Sequence, residues 1–79
     1  MSRTIVTESE LLDWINAELT KHEECANCSA TAVLTLSDVD SEGCNWPSAN
    51  LRCSGVPASV CMPMANQVIA RARLRFNVK

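Results

Sequence analysis

The chain has 79 residues, 47% hydrophobic and 20% charged, with a formal net charge of −2 and a pI of about 5.2. That describes one folded domain, residues 1–79, and excludes a disordered chain. Its core is small enough that a metal, a disulfide or a partner chain commonly supplements it. No apolar run approaches the ~20 residues of a membrane helix. The first residues carry one Arg and no long apolar segment, so the expectation is no signal peptide, a cytoplasmic location and reduced thiols.

Residues 4–7 form a β-prone run, either an extended entry segment or a short edge strand. Thr7-Glu8-Ser9-Glu10 then matches a capping box: the Thr7 hydroxyl accepts from the Glu10 N–H, and the Glu10 carboxylate reaches back to the Thr7 N–H. Val6 and Leu11 stand where a hydrophobic staple would close. These two signals start a helix predicted over residues 8–21 or 8–22. Its apolar stripe is Leu11, Leu12, Ile15 and Leu19. Trp14 falls at the edge of that stripe, as a boundary residue over the core rim or as a contact residue for a partner.

After a loop at residues 22–28 the pattern becomes β. Ala32, Leu34 and Leu36 alternate with Thr31, Val33, Thr35 and Ser37, which predicts a strand with the first set facing the core. Asp38-Val39-Asp40-Ser41-Glu42-Gly43 reads as a solvated acidic turn. A second strand is predicted over residues 45–53, where Pro47, Ala49, Leu51 and Cys53 alternate with Trp46, Ser48, Asn50 and Arg52. Pro47 makes it an edge strand or marks a bulge. A second helix follows Ser54-Gly55-Val56-Pro57. Its start is open between Ser59 as N-cap and Pro63 at the first helical position. Ala65, Val68, Ile69, Ala72 and Phe76 line its apolar face, and Asn77 suits the residue just past its end. Leu74 lies on the opposite face and matters only if Trp14 or Trp46 lies beside it.

The expected fold is therefore α+β, ordered α-β-β-α, with residues 4–7 adding a short leading strand or only an extended entry segment. Both helices would pack on one face of a small antiparallel hairpin. The other face would carry Val33, Trp46 and Arg52 and meet a second copy or another protein.

Charge is unevenly distributed: all nine acidic residues lie at or before Glu42, and five of seven basic ones follow it. An acidic helix packed near a basic one accounts for this. The alternative is a nucleic-acid surface using Arg52, Arg71, Arg73 and Arg75, against which the low pI and the lack of other basic clusters count.

Five cysteines stand at positions 25, 28, 44, 53 and 61. His22, Cys25, Cys28 and Cys44 form a candidate zinc set, although no second CxxC knuckle completes the pattern. Buried small hydrophobes with free thiols are the simpler reading. A redox CxxC is disfavoured because the pair follows a helix C-terminus and borders Glu23 and Glu24. Two glycines in the whole chain leave no material for a phosphate-cradling loop. One His and no Tyr give catalysis little to use.

Gly43-Cys44-Asn45-Trp46, then Ala72-Arg73-Leu74-Arg75-Phe76-Asn77, with Leu11-Leu12-x-Trp14-Ile15, resembles a small uncharacterised bacterial family of short single-domain proteins. The resemblance covers the C-terminal half and the start of the first helix. It implies a compact intracellular bacterial or phage-encoded domain and no catalytic residues.

The sequence thus points to an interaction or regulatory domain without catalytic activity or resident cofactor. Its candidate contact residues are Trp14, Val33, Trp46, Arg52 and Leu74, and its partner is another protein or a second copy in a homodimer. Membrane is excluded as a partner. A zinc-stabilised binding domain is the alternative, and a nucleic-acid binder the third.

Overall fold

The computed structural model describes residues 3–79. Strand β1 (Thr4–Val6) leads into helix α1 (Glu8–Leu19), and a 3-10 turn (Glu23–Cys25) follows. Strands β2 (Cys28–Val33) and β3 (Ala49–Cys53) come next, then helix α2 (Ala58–Arg75) and strand β4 (Phe76–Val78). It is an α+β domain in which β2 and β3 pair antiparallel and β1 and β4 pair parallel, as two separate sheets. The molecule is elongated, 36 × 19 × 19 Å. Helix α2 has 18 residues and is about 27 Å long.

The capping box of α1 forms as its sequence demands. Glu10 N donates to Thr7 Oγ1 at 3.1 Å, and Thr7 N donates to Glu10 Oε1 at 3.0 Å. These reciprocal bonds hold the Glu10 carboxyl below its ordinary pKa, the Thr7 backbone N–H contributing most. Leu11, Ile15 and Leu19 are buried as the stripe predicted. The helix is two or three residues shorter than expected and stops at Leu19.

The hairpin differs from its expected register for a definable reason. Cys28 pairs with Cys53 and Ala30 with Leu51, but Ala32 pairs with Asn50. Thr31 is therefore an extra residue, a β-bulge, and beyond it inward and outward positions exchange. Val33, expected on the open face, is buried at 8% exposure. Leu34 and Leu36, expected inside, are 44% and 39% exposed. Beyond Val33, residues 34–48 have no regular structure, so the alternation that placed Trp46 beside Arg52 does not apply. Trp46 is fully buried.

The outer edge of β2 is closed by side chains of α1. Asn16 Nδ2 donates to Ala30 O at 3.1 Å while Ala30 N donates to Asn16 Oδ1 at 2.7 Å. Val33 N donates to Glu8 Oε2 at 2.8 Å. One asparagine amide thus plays the part of a neighbouring strand for one residue, and removes the open edge that would invite a foreign strand.

Helix α2 begins earlier than either expected start, with Pro57 at the N-cap and Pro63 inside the helix. Pro63 lacks the N–H that would bond the Ser59 carbonyl, so the first turns are weakly held by their own backbone. A disulfide between Cys61 and Cys25 ties those turns to the 3-10 turn, and a second joins Cys28 to Cys53 across β2 and β3. The expectation of reduced thiols is thereby corrected: four of the five cysteines are paired, and only Cys44 is free. At its other end α2 stops at Arg75. Phe76, expected to close the apolar face of the helix, is instead extended, and with Asn77 and Val78 it pairs with β1.

The 34–48 segment is fixed by polar bonds to α2 and β4. Asp40 Oδ1 accepts from Glu42 N at 2.9 Å and Cys44 N at 3.1 Å, and Arg73 pairs with Oδ2. Led by the Cys44 backbone N–H, these donors lower the Asp40 pKa. Arg73 Nε also donates to Trp46 O at 3.0 Å, and Trp46 Nε1 donates to Phe76 O at 2.9 Å. Asn45 brackets Val78, Nδ2 donating to its carbonyl at 2.7 Å and Oδ1 accepting its N–H at 2.9 Å. Gly43 takes φ +83°, a left-handed backbone that suits glycine in this turn.

Candidate interaction surface

Two of the contact residues expected from sequence come together. Trp14 projects from the flank of α1, half-buried, and Leu74 stands on the outward side of α2, 69% exposed. Both line one cleft of about 440 Å³, whose other walls are Glu18, Lys21, Arg71 and Arg75. Helical geometry explains the convergence. Trp14 and Glu18 lie four apart on one face of α1, with Lys21 in the turn just past its end, and Arg71, Leu74 and Arg75 share one face of α2 at i, i+3 and i+4.

Trp14 is held at its base by Phe76, edge to face with ring centroids 5.4 Å apart. The Arg75 guanidinium lies 5.8 Å from the Trp14 centroid and 5.9 Å from that of Phe76. The two ring faces attract the cation without occupying its N–H donors. Among the described residues Arg75 has no carboxylate partner.

Glu18 forms the floor between this cleft and a neighbouring hollow of about 620 Å³ that continues along Gln67, Ala70 and His22. Its carboxylate accepts from Lys21 Nζ at 2.6 Å and from Arg71 Nη2 at 3.0 Å, joining the two helices. The Lys21 hydrogen bond is the main reason its pKa is lowered. Cations thus crowd the rim, while the one carboxylate lies beneath them at 15% side-chain exposure.

The other expected site residues are scattered. Val33 and Trp46 belong to the core, where Trp46 meets Phe76 from within. Arg52 is exposed on β3, apart from the cleft. The four arginines do not form a single basic track. Arg71 and Arg75 share a side of α2, but Arg73, two residues from each, turns to Asp40 and the Trp46 carbonyl.

The zinc set does not assemble. Cys25 and Cys28 give their sulfurs to different disulfides. Cys44 is buried and donates from Sγ to Trp46 O at 3.2 Å. Among the described residues no group of three His, Cys, Asp or Glu side chains is placed to hold a metal ion. Nor is any helix long and apolar enough to cross a membrane, among those residues.

Glu18, Arg71 and Arg75 were not singled out together from sequence. The outward placement of Leu74 follows from helical spacing alone. The pairing of Glu18 with Arg71 depends on how the helices cross and was not legible. No family model, curated protein or solved structure matches the chain.

Proposed function

We propose that this is a disulfide-stapled, non-catalytic protein-interaction domain that docks through the Trp14–Leu74 cleft. The observation that carries this reading is the meeting of an accessible Trp edge with an exposed Leu in one concave site between two helices. A leucine so exposed on a helix whose other face fills the core is common singly. Placed against a tryptophan and arginines, which are enriched at binding hot spots, it becomes an anchor site. The paired cysteines support an oxidising compartment for the folded protein, in place of the cytoplasmic location expected from the N-terminal residues.

Site-specific photo-crosslinking in the native host tests the docking. A photoreactive residue in place of Leu74 is expected to yield a discrete adduct with another chain, and the same residue in place of Asn50 on the hairpin is not. Equal adducts from both positions, or none from position 74, overturn the reading. Alkylation under denaturing, non-reducing conditions tests the compartment: one labelled cysteine is expected for protein taken from the host, and five count against it.

A further inference from the structure

We infer that the cleft receives an anionic peptide segment of another protein, with one apolar side chain seated between Trp14 and Leu74 and its flanking carboxylates on Arg71 and Arg75. This rests on the docking reading above and adds the chemistry of the partner.

Charge complementarity selects the occupant. Lys21, Arg71 and Arg75 line the cleft against the single carboxylate of Glu18. Lys21 and Arg71 keep 68% and 55% of their side-chain surface in contact with solvent. Arg71 gives Glu18 one Nη2 donor and retains others of its five. Arg75 gives none to a carboxylate, although two aromatic rings already hold its guanidinium in the cleft. A guanidinium without a carboxylate partner is suited to bind one two-pronged. Leu74 lies three residues after Arg71 and one before Arg75, so the apolar contact is flanked by the two cations. The matching ligand therefore has an apolar residue between acids.

Other occupants fit less well. Nucleic acid needs a continuous run of cations along its phosphates. Here the third arginine of the run, Arg73, is turned away to Asp40, and the Glu18 carboxylate lies in the floor. A second copy would have to bring acids of its own. Among the described residues its exposed large apolar side chain set between acids is Val39, but there Asp40 and Glu42 already pair with Arg73.

The experiment is selection of randomised linear peptides on the intact oxidised protein, with counter-selection on Leu74→Glu. Enriched peptides are expected to carry Asp or Glu beside a Leu, Phe or Trp. Binding of a selected peptide, followed by tryptophan fluorescence, should weaken about tenfold or more when Arg71→Glu and Arg75→Glu are combined, and weaken with added salt. Arg52→Glu, which makes the same charge change on the hairpin, should leave the affinity unaltered. Thermal melting checks that each variant folds, and Arg71→Gln with Arg75→Gln substitutes for the charge reversal if it does not.

Selected peptides that are neutral or basic, or an affinity indifferent to the two arginines, overturn the anionic partner while leaving the docking cleft standing. Failure to enrich any peptide over Leu74→Glu, together with no adduct from position 74, overturns both. Tighter binding of a single-stranded oligonucleotide than of any selected peptide, or concentration-dependent dimerisation abolished by Leu74→Glu, also overturns the anionic peptide.

Discussion

The two ends of α2 solve the same problem by different means. At the first end, strands β2 and β3 and the opening turns of the helix are held by two covalent bridges. At the last end, β1, β4 and the irregular 34–48 segment are held by side chains bonded to backbone: Trp46 to Phe76, Asn45 to Val78, Arg73 to Trp46 and Asn77 to Gly43. Both ends use an asparagine as a surrogate strand, Asn16 beside Ala30 and Asn45 beside Val78. A two-stranded sheet is marginal alone. The comparison shows two ways of making it persist: restricting the unfolded chain, or satisfying the folded one.

The largest expected loss is at the polar end. Trp46→Ala removes a fully buried side chain and leaves Phe76 O without its indole partner. Stability measured by urea unfolding should fall by about 3–5 kcal/mol. A loss under about 1 kcal/mol would show that the polar end contributes little to global stability.

Next comes the covalent end. Replacing Cys25 and Cys61 together by Ala frees the turns before Pro63 and should cost about 2–4 kcal/mol. Excess reductant should lower the melting temperature of the wild type and spare a variant lacking both bridges. Equal melting with and without reductant would erase the contrast between the ends.

The paired asparagines make a finer test. Asn45→Ala and Asn16→Ala each delete two bonds to one strand residue, at about 1 kcal/mol per bond. With the bridges intact, Asn45→Ala should be the more destabilising, because Ala30 stays close to its neighbours through the Cys28–Cys53 tie. Under reduction the two should converge.

The smallest effect is electrostatic. Asp40 has a folded-state pKa below its unfolded one, owing first to the Cys44 N–H and further to Glu42 N–H and Arg73. Its contribution is present above the unfolded pKa and is lost as pH falls through the folded one. Melting temperature should therefore drop on acidification below the ordinary carboxylate range. Asp40→Asn should flatten part of that slope.

What could be read from sequence was local. Thr7 and Glu10 are three residues apart and meet by helical geometry alone, so the cap was legible. So were the buried stripes Leu11/Ile15/Leu19 and Ala65/Val68/Ile69/Ala72, and the outward placement of Leu74. The bulge at Thr31 was not, because period-two alternation carries no mark of an inserted residue, and Val33 was misplaced as a result. Strand β4 was illegible because Phe76, Asn77 and Val78 are too few to show a period, and their partner lies at the other extreme of the chain. Cysteine pairing was lost to the inference of a reducing compartment. The cleft was half legible: Trp14 and Leu74 were marked individually, but their proximity depends on the packing of α1 against α2.

The connectivity also sets an order of assembly. The Cys28–Cys53 ring lies inside the Cys25–Cys61 ring, so closing the inner one shortens the span the outer must still close. Neither ring needs β1 or β4, whose residues meet only across nearly the full length of the chain. A nascent chain can thus complete its hairpin and the root of α2 before its first strand has anything to pair with. Pulse-labelling during refolding should accordingly find the amides of β1 and β4 protected last, and the cleft, which Phe76 supports from below, finished only when that final strand docks.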